Sequence, residues 1–323
     1  MTTLCFDDAV TRALHDEMAR DERVLLLGTG VAMRRPGLLR RFGAARVRNT
    51  PPSEAVVMGS AVGAAAGGLR PVLDLLHAPR LAPAMDLLVN GAGKLRYLSG
   101  GQHGVPLVVL AHTGAAGGAG AAHSHNVEAW FAHAPGLKVA MPSNASDAHG
   151  LVIAAVRDDN PVLLLLDRAL AAQAGEVDEG SDGGVPLGRA RRLRSGRDLT
   201  LVGYARTVGT CLQAADALEA AGLSADVLDL RSLKPLDMAT VLASVQRTGR
   251  LLVVHEAGPT CGIGAELLAR VSMQAFDVLR APPQRITSPD VPVPAAPQLE
   301  RAFVPGVQAV LGCARRLCEP ALA

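Results

Sequence analysis

The sequence predicts an α/β protein built from two parallel-sheet domains. Short apolar runs alternate with amphipathic stretches, a pattern that produces parallel sheets with helical crossovers. The alternation occurs twice, and periodicity disappears in between, from Ala171 to Arg197. The length of 323 residues also suits two domains better than one. The expected division is a first domain over 1–175, a linker over 176–197 and a second domain over 198–323.

Phe6–Arg20 carries Val10, Leu14 and Met18 on one stripe of an amphipathic helix. Val24–Leu27 is a short buried strand that ends in Gly28-Thr29-Gly30. A G-x-G after a strand can open a dinucleotide site, but the third glycine and the downstream acid are missing, which favours a tight turn. In Thr50–Gly63, Pro51 and Pro52 keep the chain extended before a helix that Ser53 can cap. Glu54 is the one carboxylate in this small-residue segment. The residues alone leave two readings of it, a helix-dipole or capping-box acid and a catalytic acid.

Arg70–Leu76 is the next strand, with His77–Ala82 as a loop at its C-terminal end, where α/β sites gather. Ala84–Tyr97 reads as a helix with Asp86, Asn90 and Lys94 on one face. After the strand Val105–Leu110, the glycine-alanine loop Gly114–Ala122 lets backbone approach a ligand closely. It delivers His123-Ser124-His125-Asn126, and a histidine pair after such a loop is a better site candidate than a lone histidine. Strand Val139–Met141, helix Ala148–Arg157 and strand Val162–Leu166 complete the first domain.

The segment that follows is acidic (GEVDEGSDGG), then basic (RARRLRSGR), and reads as an exposed connection. Strands Leu199–Tyr204, Ala225–Asp229 and Leu251–His255 then alternate with helices Val208–Ala221, Leu236–Gln246 and Gly262–Gln274. Proline-rich Ser288–Pro297 is expected to be an extended arm.

Composition narrows the function classes. A formal charge of +2 gives no reason to expect a nucleic-acid partner. No apolar run reaches transmembrane length, and MTTLCFDDAV has acids where a signal peptide is basic, so a membrane partner is not expected either. The five cysteines are scattered without metal-ligand spacing, which points to a reducing cytoplasm without disulfides or zinc.

Several stretches, in this order and spacing, resemble one family: RVRNTPPSE, GLRPV, VNGAGKLRYLSGGQ, AHSHNVEAWFAHAPGLKVAMPSNASDAHGL, RDDNPV, DLRSLKPLD, VVHEAGPTCGIGAE and DVPVPAAPQLERAFVP. They are similar to the beta subunit of the thiamine-diphosphate-dependent decarboxylating component of 2-oxo acid dehydrogenases, which act on pyruvate, branched-chain 2-oxo acids or acetoin. The resemblance runs from Phe6 to about Leu311. It implies a transketolase-like pyrimidine-binding domain followed by a transketolase-like C-terminal domain. It also implies an alpha2beta2 heterotetramer in which the alpha subunit holds the diphosphate and Mg²⁺ through a Gly-Asp-Gly motif, which this chain lacks.

By the same resemblance, Glu54 is the carboxylate that favours the imino tautomer of the cofactor pyrimidine. His123 is the histidine near the substrate and the incoming lipoyl group. Pro52, Leu76 and Arg80 are implied to line the cofactor. Leu107, Ala155, Asp158 and Asn160 match a loop that holds a monovalent cation such as K⁺. Three positions depart from the family: Thr29 replaces a glutamate of an acidic tunnel, Arg80 a phenylalanine and Pro52 an aliphatic residue. The implied activity is oxidative decarboxylation with acyl transfer to a lipoyl acyltransferase core. Thr29 and Arg80 leave room for a split transketolase-like carboligase, and a non-catalytic scaffold is a further alternative that the retained Glu54 and His123 speak against.

Overall fold

A computed structural model describes residues 1–178 and 184–319. Part of the acidic connection (179–183) and the last four residues of the expected second domain lie outside the described residues. The strands of the first half are β1 (Thr2–Cys5), β2 (Val24–Gly28), β3 (Val47–Asn49), β4 (Arg70–Leu75), β5 (Val108–Thr113), β6 (Lys138–Ala140), β7 (Val162–Asp167) and β8 (Ala174–Val177). They are followed by β9 (Arg191–Arg194), β10 (Leu199–Gly203), β11 (Ala225–Asp229), β12 (Ser232–Lys234), β13 (Leu251–Val254) and β14 (Gln284–Ile286).

One sheet has the order β12-β6-β7-β5-β4-β2-β3 and the other β14-β13-β10-β11-β9. Both are parallel apart from one antiparallel edge strand each, β12 on β6 and β9 on β11. β1 and β8 form a separate antiparallel pair. Every residue of β7 (VLLLLD) is buried, as expected for a parallel strand covered on both faces. The Ala145–Arg157 helix is capped by Asn144, whose side chain accepts from the Asp147 amide, and it packs on the Phe6–Arg20 helix. Arg157 and Arg20 both donate to buried Glu17, which neutralises that acid between the two helices.

The two halves are not separate bodies. One apolar core contains Leu107, Val139 and Met141 together with Leu228, Leu233 and Val241. β12 comes from the second half of the chain and completes the first sheet, with Ser232 opposite Ala140.

Several local expectations differ from the structure. The basic stretch read as a solvated connection forms β9, and its arginines are paired: Arg192 with Asp226, and Arg194 with Asp216 and Glu219. The expected His77–Ala82 loop is replaced by a 3₁₀ helix over Ala78–Ala84 that contains Pro79 and Pro83. The expected Ala84–Tyr97 helix widens into π-helical turns over Leu87–Ala92 and becomes α-helical at Gly93–Leu98. Asp86, Asn90 and Lys94 form a hydrogen-bonded ladder at 2.6 Å per step on its exposed side, consistent with a solvated face.

Beneath the β2–β4 edge lies a buried ion cluster. Asp74 on β4 accepts from Arg35 Nε at 2.9 Å and from Arg34 Nη1 at 3.0 Å. Burial pushes the Asp74 carboxyl up, but the two guanidiniums outweigh it and hold it below its ordinary value. Arg34 also reaches the Thr29 carbonyl at 3.4 Å. Gly28 is required here, since a Cβ would stand 2.2 Å from the Asp74 carbonyl oxygen. Asp74→Asn leaves the buried Arg35 with only the half-exposed Asp7, 3.3 Å away, as a counter-ion and is expected to cost about 3 kcal/mol in urea unfolding. A loss below about 1 kcal/mol would show that the cluster is not a net support of the fold.

Candidate active site

The parallel strands end on a common edge, and the candidate residues gather there. Glu54 is the first residue of the helix Glu54–Ala66. Ser53 occupies the N-cap position, yet its side chain makes no capping hydrogen bond. The Glu54 carboxylate is engaged by Arg80 instead, whose Nε donates to Oε1 at 3.0 Å. Oε2 has no hydrogen-bond partner among the described residues. The Glu54 side chain is 17% exposed and that of Arg80 47%. A pair this open to water is worth about 0–1 kcal/mol, so Arg80 orients the carboxylate without sequestering it.

His77 lies two residues past the end of β4, and His123 lies in the short helical turn Ala121–Ser124 beyond the glycine loop. Their rings lie 4.3 Å apart, inclined by 55°. Arg168, one residue past β7, donates through Nη2 to His77 Nδ1 at 2.7 Å and to the His123 carbonyl at 3.3 Å. The same nitrogen reaches the Leu76 carbonyl at 3.4 Å. The bond to Nδ1 places the His77 proton on Nε2. Burial, then the Arg168 charge, lowers the His77 pKa to about 4, so the ring is neutral at pH 7. Pro52 and Leu76 are both exposed beside these groups. His125 diverges from His123, and its ring lies 5.7 Å from that of Trp130.

The glycine loop is held from the second half of the chain. Arg206 Nε lies 3.0 Å from Asp167 Oδ2 and 2.8 Å from Glu256 Oε2. Glu256 Oε1 accepts from the Ala115 amide at 2.6 Å, and Arg206 Nη2 donates to the Ala115 carbonyl at 2.9 Å. Gly114 has φ +90°, and a Cβ there would stand 2.9 Å from both Arg206 and Asp167. Burial, with Asp167 close by, pushes the Glu256 carboxyl up.

Leu107, Ala155, Asp158 and Asn160 lie at the opposite end of the strands, before β5 and β7 begin. Their acceptors are already engaged. The Leu107 carbonyl takes the Val162 amide at 2.9 Å, and the Ala155 carbonyl takes the Asp158 amide at 3.2 Å. Arg70 donates to the Asp158 carbonyl at 3.2 Å, Lys138 pairs with the Asp158 carboxylate, and Arg96 donates to Asn160 Oδ1 at 3.1 Å. Three cationic side chains thus reach this set, while the Leu107 and Ala155 carbonyls each keep a second lone pair.

Two model families match the chain: the transketolase pyrimidine-binding domain over residues 3–173 and the transketolase C-terminal domain over residues 188–310. The chain is 43% identical to the mitochondrial pyruvate dehydrogenase E1 component subunit beta-2 of Oryza sativa subsp. japonica, over 98% of this chain and 86% of that protein. It belongs to the family of E1 beta subunits of thiamine-diphosphate-dependent 2-oxo acid dehydrogenases.

Two further relatives of this E1 beta chain agree. The pyruvate dehydrogenase E1 beta subunit of Rhizobium meliloti is 41% identical over 98% of this chain and 70% of that one. The beta subunit of acetoin:2,6-dichlorophenolindophenol oxidoreductase from Cupriavidus necator is 39% identical over 95% of both. Among solved structures, a split gene transketolase described as an inactive beta4 tetramer shares the fold, with a TM-score of 0.82 at 22% identity over 98% of both chains.

Sequence reasoning did not select His77, Asp167, Arg168, Arg206 or Glu256. The available signal for His77 and Arg168 was position, since each stands just past the C-terminal end of a parallel strand. In this E1 beta subunit, Arg168→Met is expected to raise the His77 titration midpoint from about 4 toward its unperturbed 6.5, while the burial effect remains. Because the folded value is the lower one, the His77 contribution to stability declines as pH falls from about 6.5 to about 4, and the variant narrows that window. NMR titration of labelled histidines measures the midpoint, and an unchanged value in the variant would place Arg168 away from His77 in solution.

Proposed function

We propose that this chain, with a separate alpha subunit, forms the pyrimidine side of a thiamine-diphosphate site that oxidatively decarboxylates a 2-oxo acid such as pyruvate. The acyl group then passes to lipoamide on a lipoyl acyltransferase core. The observation that carries this reading is the Glu54 carboxylate, fixed at a helix start with one oxygen still unengaged. Such an oxygen suits the proton on a ring nitrogen, so the residues fit the cofactor. When bound, thiamine diphosphate supplies the nucleophilic carbon and the electron sink for decarboxylation.

Glu54 Oε2 would hold the ring-nitrogen proton, while Arg80 keeps Oε1 and limits rotation of the carboxylate. Pro52 and Leu76 offer apolar surface to the ring. His123 is the acid–base group on the substrate side, and the neutral His77 ring supports it. The sequence contains no Gly-Asp-Gly, which supports a site whose diphosphate and Mg²⁺ are held by the alpha subunit of an alpha2beta2 assembly. No step is assigned to a monovalent cation. The five cysteines are free, which supports a reducing, cytoplasmic location, and among the described residues no helix is long and apolar enough to cross a membrane.

Glu54→Gln is expected to lower 2-oxo acid-dependent reduction of an artificial acceptor by about 10²–10⁴-fold in the complex with its alpha subunit, without changing assembly by gel filtration. Near-normal turnover would leave Glu54 a helix-terminus acid only. Arg80→Phe frees Oε1 and is expected to change the same rate by less than about tenfold, in keeping with the small worth of a half-exposed ion pair. A larger loss would make Arg80 part of the chemistry.

A further inference from the structure

The glycine loop that delivers His123 does not fix its own path. Gly118 and Gly120 both have φ +69°, and neither brings a side chain that could anchor the backbone. The loop is tied at three places instead. At its ends, Thr113 Oγ1 lies 2.6 Å from Asn126 Oδ1 and 3.1 Å from the His125 carbonyl oxygen. At its foot, Glu256 and Arg206 hold Ala115. At its tip, Glu300 of the helix Pro297–Phe303 accepts from the Gly118 amide with both carboxylate oxygens, at 3.1 and 3.2 Å. The extended arm before that helix lies on the same span. The Ala295 carbonyl stands 3.1 Å from the place of a Cβ on Gly118, and the Ala295 methyl 3.4 Å from one on Gly120. Val293 and Phe303 pack with Ala115 in a small apolar cluster.

Glu300 is 8% exposed, and no cation stands at ion-pair distance from it among the described residues. The Gly118 amide is the one hydrogen-bond partner of its side chain among those residues. A buried carboxylate committed to a single backbone amide makes a bond stronger than a neutral acceptor would. The path from that bond to the functional ring is short. Gly120 caps the turn Ala121–Ser124, and its carbonyl accepts from the His123 amide at 3.2 Å and the Ser124 amide at 3.1 Å. We propose that Glu300 is a positioning residue that pins the tip of the glycine loop and thereby holds His123 toward the substrate. The inference rests on the proposed function, in which His123 is the acid–base group. Glu300 acts through the backbone and touches no reacting atom. Displacing a reacting group by about 1 Å can slow a reaction about 10²-fold, so a single anchoring bond can matter to the rate.

The test uses the holoenzyme assembled with its alpha subunit and follows pyruvate-dependent reduction of an artificial acceptor. Glu300→Ala is expected to lower kcat by about 10- to 100-fold and to change KM by less than about threefold. Glu300→Gln keeps an oxygen that can accept from Gly118 and is expected to recover most of that loss. In a His123→Ala background, adding Glu300→Ala is expected to lower the residual rate by less than about threefold, because the group it positions is already gone. An equal fold-loss in both backgrounds would make Glu300 a support of the fold and overturn the inference. A Gln variant as slow as the Ala variant overturns the hydrogen-bond role. Hydrogen exchange over 114–122 in the assembled wild type needs no variant, so a misfolded substitution does not block the test. The loop is expected to exchange more slowly than a free peptide of the same sequence, and equal rates overturn the clamp. Near-normal turnover in His123→Ala, or a wild-type holoenzyme that turns over no 2-oxo acid, strikes the proposed function as well. Every other adverse outcome strikes this inference alone.

Discussion

Arg206 holds one carboxylate from each half of the chain, Asp167 at the end of β7 and Glu256 just beyond β13. Glu256 and Arg206 in turn fix both backbone groups of Ala115, the start of the loop that delivers His123. The active edge therefore depends on a charge cluster that only the docked halves can form. Taking one of its members away would leave buried charge unpaired, far costlier than losing a surface ion pair. A loop of glycine and alanine has few side chains of its own to define its path, and here its position is set from the other half of the molecule.

The charges around the site differ in how firmly they are held. Asp74 is buried and paired with both Arg34 and Arg35. The Glu54–Arg80 pair lies at the surface, and Arg168 has no carboxylate at ion-pair distance among the described residues. Thr29 contributes its backbone carbonyl to the Arg34 guanidinium.

The alternating architecture was legible because apolar strands such as Val162–Leu166 and amphipathic helices such as Phe6–Arg20 carry their own periodicity. β9 and β12 were not, because three or four residues are too few to show a period. β9 is also rich in arginine, which resembles a solvated connection until Asp226, Asp216 and Glu219 are seen beside it. Glu54 and His123 stood out through their segments and the family motifs. The direction of Arg80 did not, since it depends on the 3₁₀ turn around Pro79 and Pro83 and on a flexible side chain. Arg168 carries no local signal apart from its place after β7, and its isolation from carboxylates exists only in three dimensions.

The pairing of β12 with β6 has a consequence for biosynthesis. The first sheet cannot be finished when the ribosome has made its first half, because its outermost strand is encoded beyond β11. Until then β6 presents an open edge, the kind of surface that recruits stray strands from neighbouring chains. The nascent chain must therefore stay unaggregated through the synthesis of β9, β10 and β11. A gene split between the two halves would part β6 from β12, so the joint between them is a poor place to divide the protein, whatever the domain models suggest.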